Sequence, residues 1–200
     1  MRYDADSGLD VPNWHDTAEE RLKMLAELGV DGSPDAEFDR FAAHVSGTFA
    51  AELGAAGHGL YAMVNLFMRE KQTFVGLHNP PGARAVARTM APDHGFCPEM
   101  LDRTKALVLA DVCAKPQFAS NPVVDKLGVR TYAGAPLIHG STGAVLGSVC
   151  VVGTSPLPTD TRQTSLALIK RHRDALMELL GQRTGTGGGV GRHSATHPGG

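Results

Sequence analysis

The stretch Arg130-Thr131-Tyr132-Ala133-Gly134-Ala135-Pro136-Leu137-Ile138-His139-Gly140-Ser141-Thr142-Gly143-Ala144-Val145-Leu146-Gly147-Ser148-Val149-Cys150-Val151-Val152 decides how the chain folds. Its middle, His139 to Gly143, is built from Gly and short polar residues, as a hairpin loop requires. The second arm does not alternate simply. Val145, Gly147, Val149 and Val151 share one face, and Ala144, Leu146, Ser148, Cys150 and Val152 share the other. A strand that is apolar or small on both faces is covered on both sides. The spacing therefore predicts two antiparallel strands in the middle of a layered domain, with the rest of the chain as their cover.

Working outward, Pro156 and Pro158 end the hairpin, and Thr159 or Asp160 starts a long helix to about Leu180. Leu166, Ile169, Leu176 and Leu180 form one apolar stripe on it, and Leu168, Ala175 and Leu179 a second beside it. Upstream, Leu60 to Met68 and Thr73 to Leu77 read as a hairpin turned at Arg69 to Gln72. Ser33-Pro34 reads as the cap and first residue of a helix whose stripe is Phe38, Phe41, Val45, Phe49 and Leu53. Asp16-Thr17-Ala18-Glu19 has the form of a capping box before Leu22, Leu25 and Leu28, and Gly29 stops that helix. The segment from Asn79 to His94 has weak signals with room for one short helix, and Leu107-Val108-Leu109 reads as a short strand. Val112 to Val129, with Pro116, Pro122 and Gly128, reads as a loop with one helical turn. Helix, helix, hairpin, variable segment, hairpin, helix is an α+β order: a central antiparallel sheet with the N- and C-terminal helices on one face. The expected division is a disordered acidic segment over 1–14, one domain over 15–181, and a disordered Gly-rich tail over 182–200.

Two hundred residues at 42% hydrophobic content suit one packed domain with tails. A net charge of −2 makes no electrostatic case for a nucleic-acid partner. No apolar run reaches the roughly 18–20 residues of a membrane span, and the acidic start is unlike a signal peptide. With three cysteines and no export signal, the expected location is the cytoplasm.

The hairpin motifs, Arg130-Thr131-Tyr132-Ala133-Gly134-Ala135-Pro136-Leu137 and Gly147-Ser148-Val149-Cys150-Val151, resemble the second half of GAF domains, in particular bacterial modules found with histidine kinases and diguanylate cyclases. Gly95-Phe96-Cys97, Asp111 and Phe118-Ala119-Ser120-Asn121-Pro122-Val123-Val124 match the same pattern in order and spacing. The likeness spans roughly residues 20 to 180. Two positions depart from it: Thr131 replaces the usual aromatic, and Gly153 stands where an Asp commonly ends the strand. The resemblance implies a GAF/PAS-like sheet with a ligand held between it and the segments 78–100 and 112–130. The residues expected there are Tyr61, Met63, Phe96, Met100, Phe118 and Tyr132 as an apolar lining, together with Cys97. Asp111, Asn121 and Arg130 could fix a ligand's polar groups. Alternatively, Asp111 and Arg130 pair to hold the 112–129 loop down.

Cys97, Cys113 and Cys150 contain no Cys-x-x-Cys, so a structural zinc site has little support. Core packing accounts for Cys97 and Cys150, whereas Cys113, in a loop near Lys115, reads as an exposed thiol. His94-x-x-Cys97 offers two ligands for a metal or haem, too few for a site. No phosphate-binding Gly loop, nucleophile elbow or nucleophile–base–acid set is recognisable. The related free-methionine-sulfoxide reductases use a catalytic Cys on a GAF scaffold, but their local motifs are absent.

The expectation is thus a non-catalytic sensory or regulatory module that binds a small molecule or a signalling partner protein. The alternative is a thiol- or haem-based redox sensor, or a methionine-sulfoxide-reductase-like enzyme. The sequence names no cofactor. The two stripes of the last helix predict a homodimer through residues 16–28 and 161–180.

Overall fold

The computed structural model describes residues 2–4, 9–11, 14–102 and 104–186. Its elements are strands β1 (Arg2–Asp4) and β2 (Leu9–Val11), helices α1 (Ala18–Glu27) and α2 (Ala36–Leu53), strands β3 (Tyr61–Phe67), β4 (Gln72–His78), β5 (Thr89–Met90) and β6 (Leu107–Leu109), short helices α3 (Pro116–Ala119) and α4 (Pro122–Leu127), strands β7 (Thr131–Ile138) and β8 (Val145–Gly153), and helix α5 (Arg162–Thr186). Six strands form one antiparallel sheet in the order β5-β4-β3-β8-β7-β6. The architecture is α+β, with the sheet at the centre.

Both expected hairpins are present, β8 lies between β3 and β7, and both its faces are apolar because each face of the sheet is covered by its own packed layer. One face carries Ala62, Val64, Leu66, Ala133, Ala135, Val149 and Val151 against α1, α2 and α5. The other carries Tyr61, Met63, Phe67, Phe74, Tyr132 and Cys150 against the irregular segments 96–101 and 112–129. Pro136 lies in β7 beyond Tyr132 to Gly134, the stretch that pairs with β6, so on that side no strand is there to need its missing N–H. The two departures from the family pattern meet. Thr131 and Gly153 are cross-strand partners, and a Cβ on Gly153 would stand 2.7 Å from Leu60 and 3.0 Å from the Thr131 methyl.

On α2 the residues Phe38, Ala42, Val45 and Phe49 are fully buried, a stripe at helical spacing that stabilises by about 1.5–3 kcal/mol per large side chain. Its cap is Asp35, not Ser33: Asp35 Oδ1 accepts from Glu37 N at 2.7 Å and Phe38 N at 3.4 Å. The shift has a tertiary cause. Asp35 N donates to Val75 O, and Asp39 Oδ1 accepts from Leu77 N, so the start of α2 closes the open edge of β4. Gly76 permits this approach, since a Cβ there would lie 2.4 Å from Phe38 O.

The capping box at α1 does not form. Thr17 is the cap residue, and its hydroxyl receives Arg21 Nη1 at 3.1 Å instead of a backbone N–H. Arg21 is fully buried, donating also to Phe67 O (2.5 Å) and Trp14 O (3.0 Å). Within the segment read as disordered over 1–14, β1 and β2 pair antiparallel, Tyr3 opposite Asp10. Between Asn79 and His94 the structure has the short strand β5, not a helix, and 112–129 holds three helical turns where one was expected. Helix α5 runs past Leu180 to Thr186. Arg183, which the sequence assigns to the tail, packs over the Phe38 ring at 4.1 Å and donates to Asp35 (2.8 Å) and Glu37 (2.6 Å). The remainder of the tail, 187–200, lies outside the described residues. Among the described residues no helix is long and apolar enough to cross a membrane.

On α5 the buried face is Ser165, Leu168, Ile169, His172, Leu176 and Leu180, drawn from both expected stripes, while Leu166 and Leu179 are half-buried and Ala175 is exposed.

Candidate functional site

The face of the sheet turned away from the long helices encloses a cavity of about 70 Å³. Tyr61 and Met63 of β3, Phe74 of β4, Tyr132 of β7 and Cys150 of β8 form its sheet side. Val86, Met90, Phe96, Cys97, Val123 and Val129 cover it, and Arg84 and Thr154 stand at the exposed rim. The lining is almost wholly apolar, with Gln72 as its amide.

The cover is tied down by backbone and side-chain hydrogen bonds that irregular segments need near a core. Tyr61 Oη donates to Arg84 O at 2.8 Å. Arg88 is held by both Asp39 oxygens (3.0 and 2.8 Å), and its backbone carbonyl accepts from Phe74 N. The guanidinium holds the Asp39 carboxyl below the usual carboxylate range. Gln72 donates through one Nε2 to the carbonyls of Ala91 and His94, both at 2.7 Å, and accepts from Asn65 Nδ2 at 2.8 Å. Asn121 grips Gly95 at both N and O (3.0 and 2.9 Å) while capping α4.

Five of the ten sequence-predicted residues surround the cavity: Tyr61, Met63, Phe96, Cys97 and Tyr132. The other five do not line it. Phe118 is buried behind Phe96, ring centroids 5.8 Å apart and nearly perpendicular, and Met100 is fully buried in the same layer. Asn121 is spent on Gly95. Asp111 and Arg130 pair with each other in a two-pronged contact (3.2 and 2.8 Å), and Asp111 also accepts from Cys113 N. Arg130 lowers the Asp111 pKa, and their backbones join where Val112 N donates to Arg130 O. The pair closes the base of the 112–129 segment. Gln72, Val86, Met90, Val123 and Val129 were not singled out from the sequence. The amide of Gln72 falls at the polar end of a strand, where turn and strand readings compete.

At the inner end of the cavity the two buried cysteines meet. Cys97 Sγ is 3.5 Å from Cys150 Sγ, Tyr132 Oη is 3.6 Å from Cys97 Sγ, and Met63 Sδ is 3.9 Å from Cys150 Sγ. Cys113 is exposed. The ring of His94 is engaged at the surface by Asp93 (2.8 Å) and by Lys126 (3.3 Å), so His94-x-x-Cys97 is not assembled toward a common ion. Among the described residues no three His, Cys, Asp or Glu side chains are grouped to hold a metal.

The GAF domain family model matches residues 34–182, about three quarters of the chain. The chain belongs to the GAF family. No curated protein matches it in sequence. Among solved structures it is similar to the far-red absorbing dark state of JSC1_58120g3 with bound biliverdin IXα (13% identity, TM-score 0.55, 82% of this chain and 98% of that one). It is also similar to the A. aeolicus Nlh2 GAF domain in an inactive state (15%, 0.52, 84% and 94%). A third likeness is to the free methionine-R-sulfoxide reductase of Neisseria meningitidis in complex with its substrate (13%, 0.51, 84% and 89%). At these identities the likeness is one of fold. A GAF scaffold carries sensors and an enzyme alike, so the site, not the fold, decides between them.

Proposed function

We propose that this GAF domain is a non-catalytic sensory module that takes up a small, largely apolar molecule between the sheet and the cover made by residues 84–97 and 123–129. The observation that carries the reading is the cavity itself: apolar walls, one inward amide, and a cover held by a few polar clasps. Its size limits the ligand. At about 70 Å³ it has roughly half the volume of an engineered apolar cavity of ~150 Å³ that admits benzene. A tetrapyrrole such as the biliverdin named for the JSC1 domain is far larger than this space. Binding of anything beyond a few non-hydrogen atoms requires the cover to swing outward, which couples occupancy to the loop and supplies a signal.

The signal passes to a partner protein or to a second copy through residues 16–28 and 161–180, where Leu22, Leu166 and Leu179 keep part of their surface exposed. Methyl NMR under xenon pressure tests the pocket. Shifts at Met63, Met90, Val86 and Val129, absent at Leu25 and Leu176, are expected. A thermal-shift screen of small apolar compounds should stabilise the wild type and not Val86→Trp, whose indole occupies the cavity. Uniform xenon shifts, or stabilisation that Val86→Trp retains, overturn the reading.

A further inference from the structure

We propose that Cys97 and Cys150 form a hydroperoxide-reactive dithiol at the inner end of the cavity, with Cys97 as the attacking thiol and Cys150 as the thiol that closes the disulfide. The two sulfurs are 3.5 Å apart although 53 residues separate them, so bonding at about 2.05 Å requires an approach of only about 1.5 Å. The geometry divides the roles. Cys150 is held in β8 between Met63 of β3 and Gly134 of β7, whereas Cys97 opens a short 3-10 turn next to Gly95, whose φ of +76° marks a bend rather than a ladder. Cys97 is the member free to move.

Both thiols are buried, yet both border the cavity, whose volume suits a molecule of a few atoms. Polar groups stand close to the Cys97 sulfur on this otherwise apolar face. Tyr132 Oη points its proton at it, and the cross-strand partners Asn65 and Ser148 lie two residues along β3 and β8 from Met63 and Cys150. On the same face of the sheet, Ser148 Oγ and Asn65 Oδ1 are buried without a hydrogen-bond partner in the protein. The neighbouring Cys150 thiol first, and then the polar side chains nearby, Tyr132 Oη among them, draw the Cys97 thiol toward thiolate against the opposing effect of burial, while Cys150 is pushed up and keeps its proton. This is the asymmetry that a nucleophile and its resolving partner need.

In the first step the Cys97 thiolate attacks the terminal oxygen of the hydroperoxide. An S–O bond forms, the O–O bond breaks, and the leaving alkoxide or hydroxide takes up the proton that the Cys97 thiol gave up on becoming a thiolate, leaving Cys97 sulfenic acid. In the second, Cys150 attacks that sulfur. The S–S bond forms, the S–O bond breaks, and hydroxide leaves with the Cys150 proton as water. Two thiols and one hydroperoxide thus give a disulfide, an alcohol or water, and a second water. The site stands independently of the apolar-ligand reading, because it needs only a small oxidant to enter.

The test uses Cys113→Ser protein, which removes the exposed thiol and leaves the buried pair. Treated with hydrogen peroxide after full reduction, it is expected to lose both thiols and about 2 Da, to give a peptide linking Cys97 to Cys150, and to recover both thiols with dithiothreitol. In the wild type, Cys97 is expected to react about tenfold faster than Cys113. Adding Cys150→Ser to the Cys113→Ser protein should arrest the reaction at a sulfenic acid on Cys97 that dimedone traps. The proposal is overturned if both buried thiols remain titratable after peroxide treatment and unfolding while Cys113 of the wild type is oxidised. Dimedone adduct on Cys150 with Cys97 spared also overturns it.

Discussion

The ring of Tyr132 lies along its own strand over Gly134, two residues on, so that a Cβ at Gly134 would stand 2.0 Å from Tyr132 Oη. The Tyr-x-Gly spacing therefore has a steric meaning: the glycine is the seat of the ring, and the seated ring aims its hydroxyl at Cys97. Gly134→Ala is expected to lift the ring into the cavity and to cost about 1–3 kcal/mol, as overpacking does. Tyr132→Phe should keep the seat and lose only the hydroxyl contact, at about 1 kcal/mol. Urea midpoints check both. A Gly134→Ala protein as stable as the wild type would show that the ring is not held there.

Asp39 and Arg88 join α2 to the cavity cover across 49 residues, with both side chains about one third exposed. Screening by water limits the pair to about 1 kcal/mol. The local effect should be the larger one. Arg88→Ala is expected to speed amide hydrogen exchange over residues 82–90 while leaving β7 and β8 unchanged. Equal acceleration across the sheet would mean that the contact serves global stability instead.

Asn121 holds Gly95 and caps α4 with one side chain. Asn121→Ala should lower stability by about 1–2 kcal/mol and raise exchange at residues 95–97. Asn121→Asp keeps the acceptor for Gly95 N and Val123 N but loses the donor to Gly95 O, so its effect should be smaller. If the two variants are equally perturbed, the donor arm is the one that matters.

His172 sits between α5 and α2, buried, with Nε2 unpartnered and its ring edge-on to Phe41 and His44. Burial first, then the neighbouring His44 and Arg171, lower its pKa from 6.5 to about 4. Below pH 6.5 the unfolded chain binds a proton that the folded protein refuses until about pH 4. Stability should consequently fall as pH drops from 6.5 to 4 and the His172 contribution should level off below that. Asp35, Asp39 and Asp111, all lowered mainly by their arginine partners, add their own loss only as pH falls through the bottom of that window and beyond. Denaturation midpoints of wild type and His172→Leu at pH 7.5, 5.5 and 4.5 isolate the histidine. The difference between them should change in favour of the variant as the pH falls, and a constant difference would exclude the histidine as the titrating group.

Local chemistry made much of the fold legible. Two-sided apolar strands around a Gly-rich turn placed β7 and β8, the Phe38-to-Phe49 spacing placed α2, and the strand–turn–strand pattern placed β3 and β4. Each of these depends on neighbours within about ten residues, which is the range over which periodicity speaks. Misplacements fell where a distant partner outvoted a local preference. Asp35 caps α2 because its own N–H is needed by Val75 on β4, and Thr17 gives its hydroxyl to a buried arginine in place of its helix.

The site divides the same way. That Tyr61, Met63, Phe96 and Tyr132 are large apolar residues near a buried sheet could be read from the chain. That Cys97 touches Cys150, that Gly134 seats Tyr132, and that Arg183 belongs to the domain rather than to a tail could not. Sequence determines which faces are apolar and where the chain turns, because those follow from side-chain chemistry and short-range sterics. Strand order and register, set only when three helices and six strands pack together, decide which of those side chains come within a bond's reach of one another.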